Sequence, residues 1–219
     1  MPFFLGIVGR SDTGKTTLIL KLLPELEKRG YRVGVAKNCP HGFDFDREGK
    51  DSWKFYQGGA SGVLLTSPCQ VAFLKKKENK EEGILDFLSL VFHNFDLVLI
   101  EGFREESKIK KIELLRKGVS ERPDNSLKNV VAFVSDLEIE VNKPVFKPEQ
   151  IYEIADFMER LMEKSQDYQV EIIVNGERLP LNFFVKKMIG NLAFAVVDPL
   201  KREDEKEAEE IIIKVKRLN

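Results

Sequence analysis

The chain has 219 residues, with 35 lysines and arginines against 36 aspartates and glutamates and a formal net charge of −1. Its length allows one domain or two, its 42% hydrophobic content suits a packed core, and its balanced charge argues against nucleic-acid binding through a general basic field. No apolar run approaches the ~18 residues of a bilayer span, the start lacks a basic signal-peptide region and two cysteines make no disulfide framework, so a soluble cytoplasmic protein without membrane partners is expected.

Phe3 to Val8 is a short apolar run ending at Gly9, the pattern of a buried strand. From Lys15, the residues Leu18, Ile19, Leu22, Leu23 and Leu26 recur at helical spacing until Gly30, with Pro24 inside the pattern as a source of a kink. Tyr31 to Ala36 reads as a second strand, and Ser61 to Thr66 with Cys69 to Leu74 as a strand pair around Ser67-Pro68. Glu81 to Phe92 is an amphipathic helix, and Asp96 to Ile100 is an apolar run behind one acid, typical of a strand covered on both faces. Lys111 to Leu115 and Val130 to Val134 are further strands, followed by a long helix carrying Ile151, Ile154, Ala155, Met158, Leu161 and Met162.

This alternation predicts an α/β fold, a mainly parallel sheet sandwiched between helices in three layers, over residues 1–165. The pattern then changes. Val170 to Val174 and Arg178 to Leu181 flank an Asn175-Gly176 turn, Asn182 caps a helix through Leu192, and Ile211 to Val215 closes the chain as an alternating strand. Residues 166–219 are read as a small appended C-terminal α+β domain.

The segment Gly9-Arg10-Ser11-Asp12-Thr13-Gly14-Lys15-Thr16 has two glycines separated by four residues and followed by Lys and Thr, the pattern of a phosphate loop. A chance match in a chain this long is roughly a 1% event at average residue usage, and this one also lies between a strand and a helix. Such a loop wraps a phosphate in successive backbone N–H groups and sets it at the positive end of the following helix. Lys15 would reach the β- and γ-phosphates and Thr16 would offer its hydroxyl to Mg²⁺. Nucleoside triphosphate binding over Gly9 to Thr17 follows.

Two acidic segments are candidates to complete a magnesium site. Glu101, at the end of the run Asp96 to Ile100, would sit beside the loop, whereas Asp96 opens the other end of the strand; the alternative is a polar residue opening a loop. The stretch Asp44 to Ser52 is dense in oxygen ligands, so Asp46 and Asp51 are candidates too, against the alternative of a solvated charged loop.

These blocks, together with Gly49-Lys50-Asp51-Ser52, Gly59-Ala60, Glu101-Gly102-Phe103-Arg104, Lys111-Ile112-Glu113 and Ala132 to Asp136, resemble the molybdopterin-guanine dinucleotide biosynthesis protein B (MobB) family. The resemblance covers about 1–165. It implies a dimeric P-loop GTPase that binds GTP and Mg²⁺, hydrolyses GTP slowly, and acts mainly as a switch or adaptor. It implies as partner the guanylyltransferase that completes the molybdenum cofactor, with molybdopterin a second candidate partner. By motif position, Lys15, Thr16, Asp46 and Glu101 would form the phosphate and magnesium site, with Lys15, Asp46 and Glu101 in catalytic roles. Two departures stand out. The stretch Lys37 to Gly42 is poor in histidine for the family, and Asn142-Lys143-Pro144-Val145 begins a guanine-reading Asn-Lys-x-Asp sequence without its acid, which leaves Asp136 as the alternative base reader.

Cys39-Pro40-His41 resembles an element of nickel-type metallochaperone GTPases and offers two ligands for a borderline metal, four across a dimer; the alternative is a packed thiol and a loop histidine. A P-loop small-molecule kinase is the remaining rival, although no lid segment is visible for one.

Overall fold

The computed structural model of the chain describes residues 2–43, 47–76, 83–164, 170, 172–174, 177–179, 181 and 183–197. In chain order the elements are β1 (Phe3–Val8), α1 (Lys15–Lys28), β2 (Val33–Lys37), α2 (Asp51–Gln57), β3 (Gly62–Thr66), β4 (Val71–Lys75), α3 (Ile84–Val91), β5 (Leu97–Glu101), β6 (Lys110–Leu115), β7 (Val130–Ser135), β8 (Val145–Phe146), α4 (Ile151–Glu163), β9 (Ile173–Val174), β10 (Glu177–Arg178) and α5 (Phe183–Val197). The chain divides into two compact units, 1–37 with 92–219, and 38–91. Reading elements in chain order did not separate the second of these.

In the larger unit six strands lie in the order β2-β5-β1-β6-β7-β8, and every neighbouring pair is parallel. Side chains of successive residues point to opposite faces of a strand, and one alternate set forms the core. Leu5 and Ile7 of β1, Leu97 and Leu99 of β5, Ile112 and Leu114 of β6, and Ala132 and Val134 of β7 pack against Leu18, Ile19, Leu22 and Leu26 of α1 and Ile154, Ala155, Met158 and Met162 of α4. The run Leu97 to Ile100 is buried throughout. It is apolar on both faces, as the sequence predicts for a strand without a solvent side.

Helix α1 starts at once from the loop, with Gly14 at its N-cap in a left-handed conformation, and keeps Pro24 inside one continuous helix. It ends where the sequence predicts: Gly30 takes φ 86°, and Tyr31 N–H closes the turn on the Leu26 carbonyl at 3.1 Å. Arg29 ties α1 to α4, its guanidinium meeting Glu25 at 2.7 Å, Asp156 at 2.6 Å and Glu159 at 2.8 Å. Opposite the helical face, β6 is covered by the loops before and after it, which supply the polar partners described below.

In the unit 38–91, β3 and β4 form an antiparallel two-stranded sheet of their own, closed by the bond from Ser67 N–H to the Gln70 carbonyl at 2.8 Å. The predicted pair around Ser67-Pro68 is present, and α2 begins inside the stretch expected as a charged loop and continues over residues with no assigned element. Near the C-terminus β9 and β10 pair antiparallel, with Glu177 opposite Val174, and α5 follows. The turn residues Asn175 and Gly176, the capping Asn182 and the closing strand Ile211 to Val215 lie outside the described residues. No helix among the described residues is long and apolar enough to cross a membrane.

Candidate functional site

The phosphate-loop residues Gly9 to Thr17 connect β1 directly to α1, the strand-to-helix setting that the motif requires. Three of them hold left-handed backbone: Gly9 (φ 152°), Asp12 (φ 62°) and Gly14 (φ 93°). At Gly9 a side chain is excluded twice over, since a Cβ there would lie 2.7 Å from Thr13 Oγ1 and 2.8 Å from the Leu114 carbonyl oxygen. The loop is closed on itself. Thr13, only 6% exposed, donates its hydroxyl to the Arg10 carbonyl at 2.9 Å, and Lys15 Nζ donates to the same carbonyl at 2.6 Å. Arg116, from the end of β6, donates to the Asp12 carbonyl at 3.2 Å and holds that left-handed residue from outside.

Glu101 arrives at the loop through sheet order. Strand β5 lies between β2 and β1, so that Glu101 is level with Lys37 on one side and Ile7 on the other. Thr16 Oγ1 donates to Glu101 Oε2 at 2.9 Å, and Lys37 Nζ pairs with Glu101 Oε1 at 3.3 Å. A hydroxyl and a carboxylate oxygen form a hard donor pair. Mg²⁺ is commonly held by one or two such groups together with phosphate oxygens, so the residues present fit that ion. Burial pushes the Lys15 amine below its ordinary pKa, opposed by the Glu101 carboxylate and assisted by the Arg104 guanidinium.

Of the other predicted ligands, Asp46 lies outside the described residues. Asp51 opens α2 in the unit 38–91 and pairs with Lys54 at 3.2 Å. In that unit too, Cys39 is a half-buried free thiol and His41 is exposed. No group of three or more histidine, cysteine, aspartate or glutamate side chains is placed to hold a metal among the described residues.

Beside the loop, on the far side of α1 from Glu101, opens a cavity of about 240 Å³ lined by Thr13, Gly14, Thr17, Lys21, Arg116, Asp136, Pro148 and Glu149 among others. Asp136 follows directly on β7 and accepts Lys117 N–H through Oδ1 at 2.9 Å. The parallel register Phe133↔Val145 sets the residues after β8 level with Asp136, which brings Pro148 and Glu149 into the wall. Asn142 and Lys143 precede β8, towards the other end of the sheet. The incomplete base-reading sequence is thus not part of this cavity.

Strand β6 adds two charged residues that were legible only as part of a motif block. Lys111 is fully buried and donates to the Glu106 carbonyl and, at 3.0 Å, to the Lys128 carbonyl, tying together the loops before and after the strand. Glu113 is 2% exposed; its Oε1 accepts Asp124 N–H at 3.0 Å, and its Oε2 has no hydrogen-bond partner. Burial raises its pKa above the ordinary carboxylate value. Asp124 in turn accepts from Ser126 N–H at 2.9 Å and Ser126 Oγ at 2.6 Å and forms an ion pair with Arg104. Those bonds, with Arg104, hold the Asp124 carboxyl below its ordinary value. The available signal was Lys111 and Glu113 alternating with the apolar Ile112 and Leu114.

Comparison with known proteins gives one consistent family. The family model described as molybdopterin guanine dinucleotide synthesis protein B matches residues 4–136. The chain is 35% identical over 164 residues to the molybdopterin-guanine dinucleotide biosynthesis adapter protein of Escherichia coli, covering 73% of this chain and 93% of that one. It is 26% identical to a putative adapter protein of the same description from Methanocaldococcus jannaschii, over 98% of both chains. Among solved structures, a crystal structure of molybdopterin-guanine biosynthesis protein B superposes with a TM-score of 0.58 at 31% identity, covering 73% of this chain and 99% of that one. The Bacillus subtilis MobB structure, at 20% identity, shares the fold with a TM-score of 0.56 over 73% of this chain and 97% of its own.

Proposed function

The chain belongs to the MobB family, and from that premise we propose that it is a nucleotide-dependent adapter in molybdopterin guanine dinucleotide biosynthesis, binding GTP with Mg²⁺ at Gly9 to Thr17 and hydrolysing it slowly. The observation that carries the reading is the hydrogen bond from Thr16 to Glu101 at 2.9 Å, made beside a glycine-pinned loop whose lysine is already turned inward. It brings residues 85 positions apart into the arrangement that a triphosphate and its cation need.

The roles follow from position. Lys15 exchanges its bond to the Arg10 carbonyl for the β- and γ-phosphate oxygens. Thr16 and Glu101 would hold Mg²⁺, with Asp46 a further ligand by motif. When bound, the cation would supply positive charge against the phosphates. Asp136 reads the base from the wall of the 240 Å³ cavity, using the oxygen that Lys117 N–H leaves open. A carboxylate accepts the paired N–H donors of guanine and meets no such pair on adenine. Turnover is slow because Glu101 would be committed to the cation and to Lys37, which leaves it poorly placed to orient water. The bound triphosphate then orders the surface offered to the guanylyltransferase, and the chain works as a cytoplasmic homodimer.

The test is titration calorimetry with GTP, GDP and ATP. Lys15→Ala is expected to abolish tight triphosphate binding without moving the melting temperature, and Asp136→Ala to erase the preference for GTP over ATP. Wild-type affinity in Lys15→Ala overturns the assignment.

A further inference from the structure

The segment after Glu101 takes an unusual path. Gly102 N–H makes the last rung of the β5–β1 ladder to the Ile7 carbonyl at 3.1 Å, and then Gly102 (φ 92°) and Phe103 (φ 54°) are consecutive left-handed residues. Glycine accepts that conformation freely, but an aromatic residue rarely does. The effect of the double turn is to carry Arg104 across from the β5 side of the loop to Asp124. Asp124 is itself fixed from three directions: Ser126 donates twice to its Oδ1, and its own N–H is taken by the buried Glu113. Glu113 sits level with Val8, one residue before the loop begins. Through Asp124 and Glu113 the Arg104 guanidinium is therefore tied to the end of β6 that lies level with Val8, where the phosphate loop begins.

We propose that Asp124 and Glu113 form a latch that parks Arg104 next to the phosphate loop and yields it to the terminal phosphate of a nucleoside triphosphate, so that the chain tells triphosphate from diphosphate through this one ion pair. The inference rests on the nucleotide reading above and adds how the nucleotide state is sensed. A γ-phosphate offers Arg104 a bidentate, doubly charged acceptor in place of one partly exposed carboxylate; a diphosphate ends short of it. When Arg104 leaves, the Asp124 carboxylate loses its guanidinium partner beside the buried Glu113, whose Oε2 already lacks a donor. The unpaired Asp124 carboxylate draws the arginine back once the γ-phosphate is gone. The same event frees Phe103 from its left-handed turn and unties the loop that contains Asp124, so the change reaches residues 102–110 and 120–127 together. Asp124 and Glu113 act on the nucleotide only through Arg104 and are positioning residues.

The experiment is the ratio of GTP to GDP affinity, measured by calorimetry with Mg²⁺ on the full chain. Asp124→Asn removes the competitor for Arg104 and is expected to raise the ratio about 2- to 5-fold, the worth of a partly exposed ion pair. Arg104→Gln is expected to lower it about 10-fold, and Asp124→Asn added to Arg104→Gln to change it no further. An unchanged or lowered ratio in Asp124→Asn, or an effect that persists without Arg104, overturns the latch while leaving nucleotide binding intact. If Asp124→Asn does not fold, an unchanged ratio in Arg104→Gln alone has the same force. A wild-type chain that binds neither nucleotide overturns the nucleotide reading and the latch with it.

Discussion

Replacing Gly9 with alanine tests whether the loop is held as the geometry requires, and Gly14→Ala is its internal control. Both glycines have positive φ, 152° and 93°, but an added methyl meets very different surroundings. At Gly14 nothing lies within 4 Å, so only the conformational cost of a left-handed alanine applies, about 1–2 kcal/mol. At Gly9 the methyl would stand 2.7 Å from Thr13 Oγ1 and 2.8 Å from the Leu114 carbonyl. The carbonyl belongs to β6, which pairs with β1 at that level and cannot retreat without opening the sheet. Thr13 must then rotate and give up its bond to the Arg10 carbonyl, leaving a buried hydroxyl unpaired at about 1–3 kcal/mol. With backbone strain of about 1–3 kcal/mol added, Gly9→Ala should cost about 3 kcal/mol or more. In a chain of this size that corresponds to a fall in Tm of roughly 6–12 °C, against roughly 2–8 °C for Gly14→Ala. Scanning calorimetry on both variants measures this, with GTP titration alongside. Equal shifts, or wild-type GTP affinity in Gly9→Ala, would refute the reasoning.

Two further predictions concern charge. The Glu113 carboxyl is raised above 4.5 by burial, so the folded chain binds a proton there that the unfolded chain has released, and wild-type stability falls as pH rises through that window. Glu113→Gln does not titrate there; its stability relative to wild type should therefore improve as pH rises above the ordinary carboxylate range, by less than about 1.4 kcal/mol per pH unit. Urea unfolding at a series of pH values checks it, and a flat difference counts against the assignment. Arg29 has a largely covered side chain with three carboxylate partners and a bond to the Tyr152 carbonyl at 3.3 Å, and its guanidinium is held more basic than usual by them. Arg29→Ala should cost about 2 kcal/mol and Arg29→Lys roughly half that, because only the planar fork spans α1 and α4; a loss below about 0.5 kcal/mol for Arg29→Ala rejects the network.

What was legible in the chain was what local rules decide. Phe3–Val8 and the helix beginning at Lys15 are set by neighbours within a turn or two, and the glycine, lysine and threonine of the loop do their work at fixed spacing. The bare run ending in Glu101 announced a buried strand, and a buried parallel strand puts its C-terminal acid where loops converge. Strand β8 escaped because two residues carry no periodicity, and their pairing with β7 across the intervening loop leaves no mark on the local pattern. Helix α2 escaped because its seven residues, including Asp51, Ser52 and three aromatic side chains, present no apolar stripe at helical spacing. The burial of Lys111 and Glu113 was beyond reach for a different reason: their partners are the Glu106 and Lys128 carbonyls and the Asp124 N–H, backbone groups of two loops whose positions no residue pattern encodes.

On the proposed nucleotide reading, the sheet order lets one loop both bind and report. Strand β1 lies between two strands that each bring an acid to its C-terminal end, Glu101 level with Ile7 on β5 and Glu113 level with Val8 on β6. The two carboxylates differ in what surrounds them. Glu101 has a hydroxyl and an ammonium within reach, whereas Glu113 is buried with a single backbone donor and meets Arg104 only through Asp124. A chain of net charge −1 thereby holds Lys15 and the phosphate-loop motif at one edge of a sheet, with an acid on each side, the balance of charge that the proposed nucleotide site would need when empty. Parallel pairing makes this arrangement possible, since only strands running the same way deliver their last residues to the same edge.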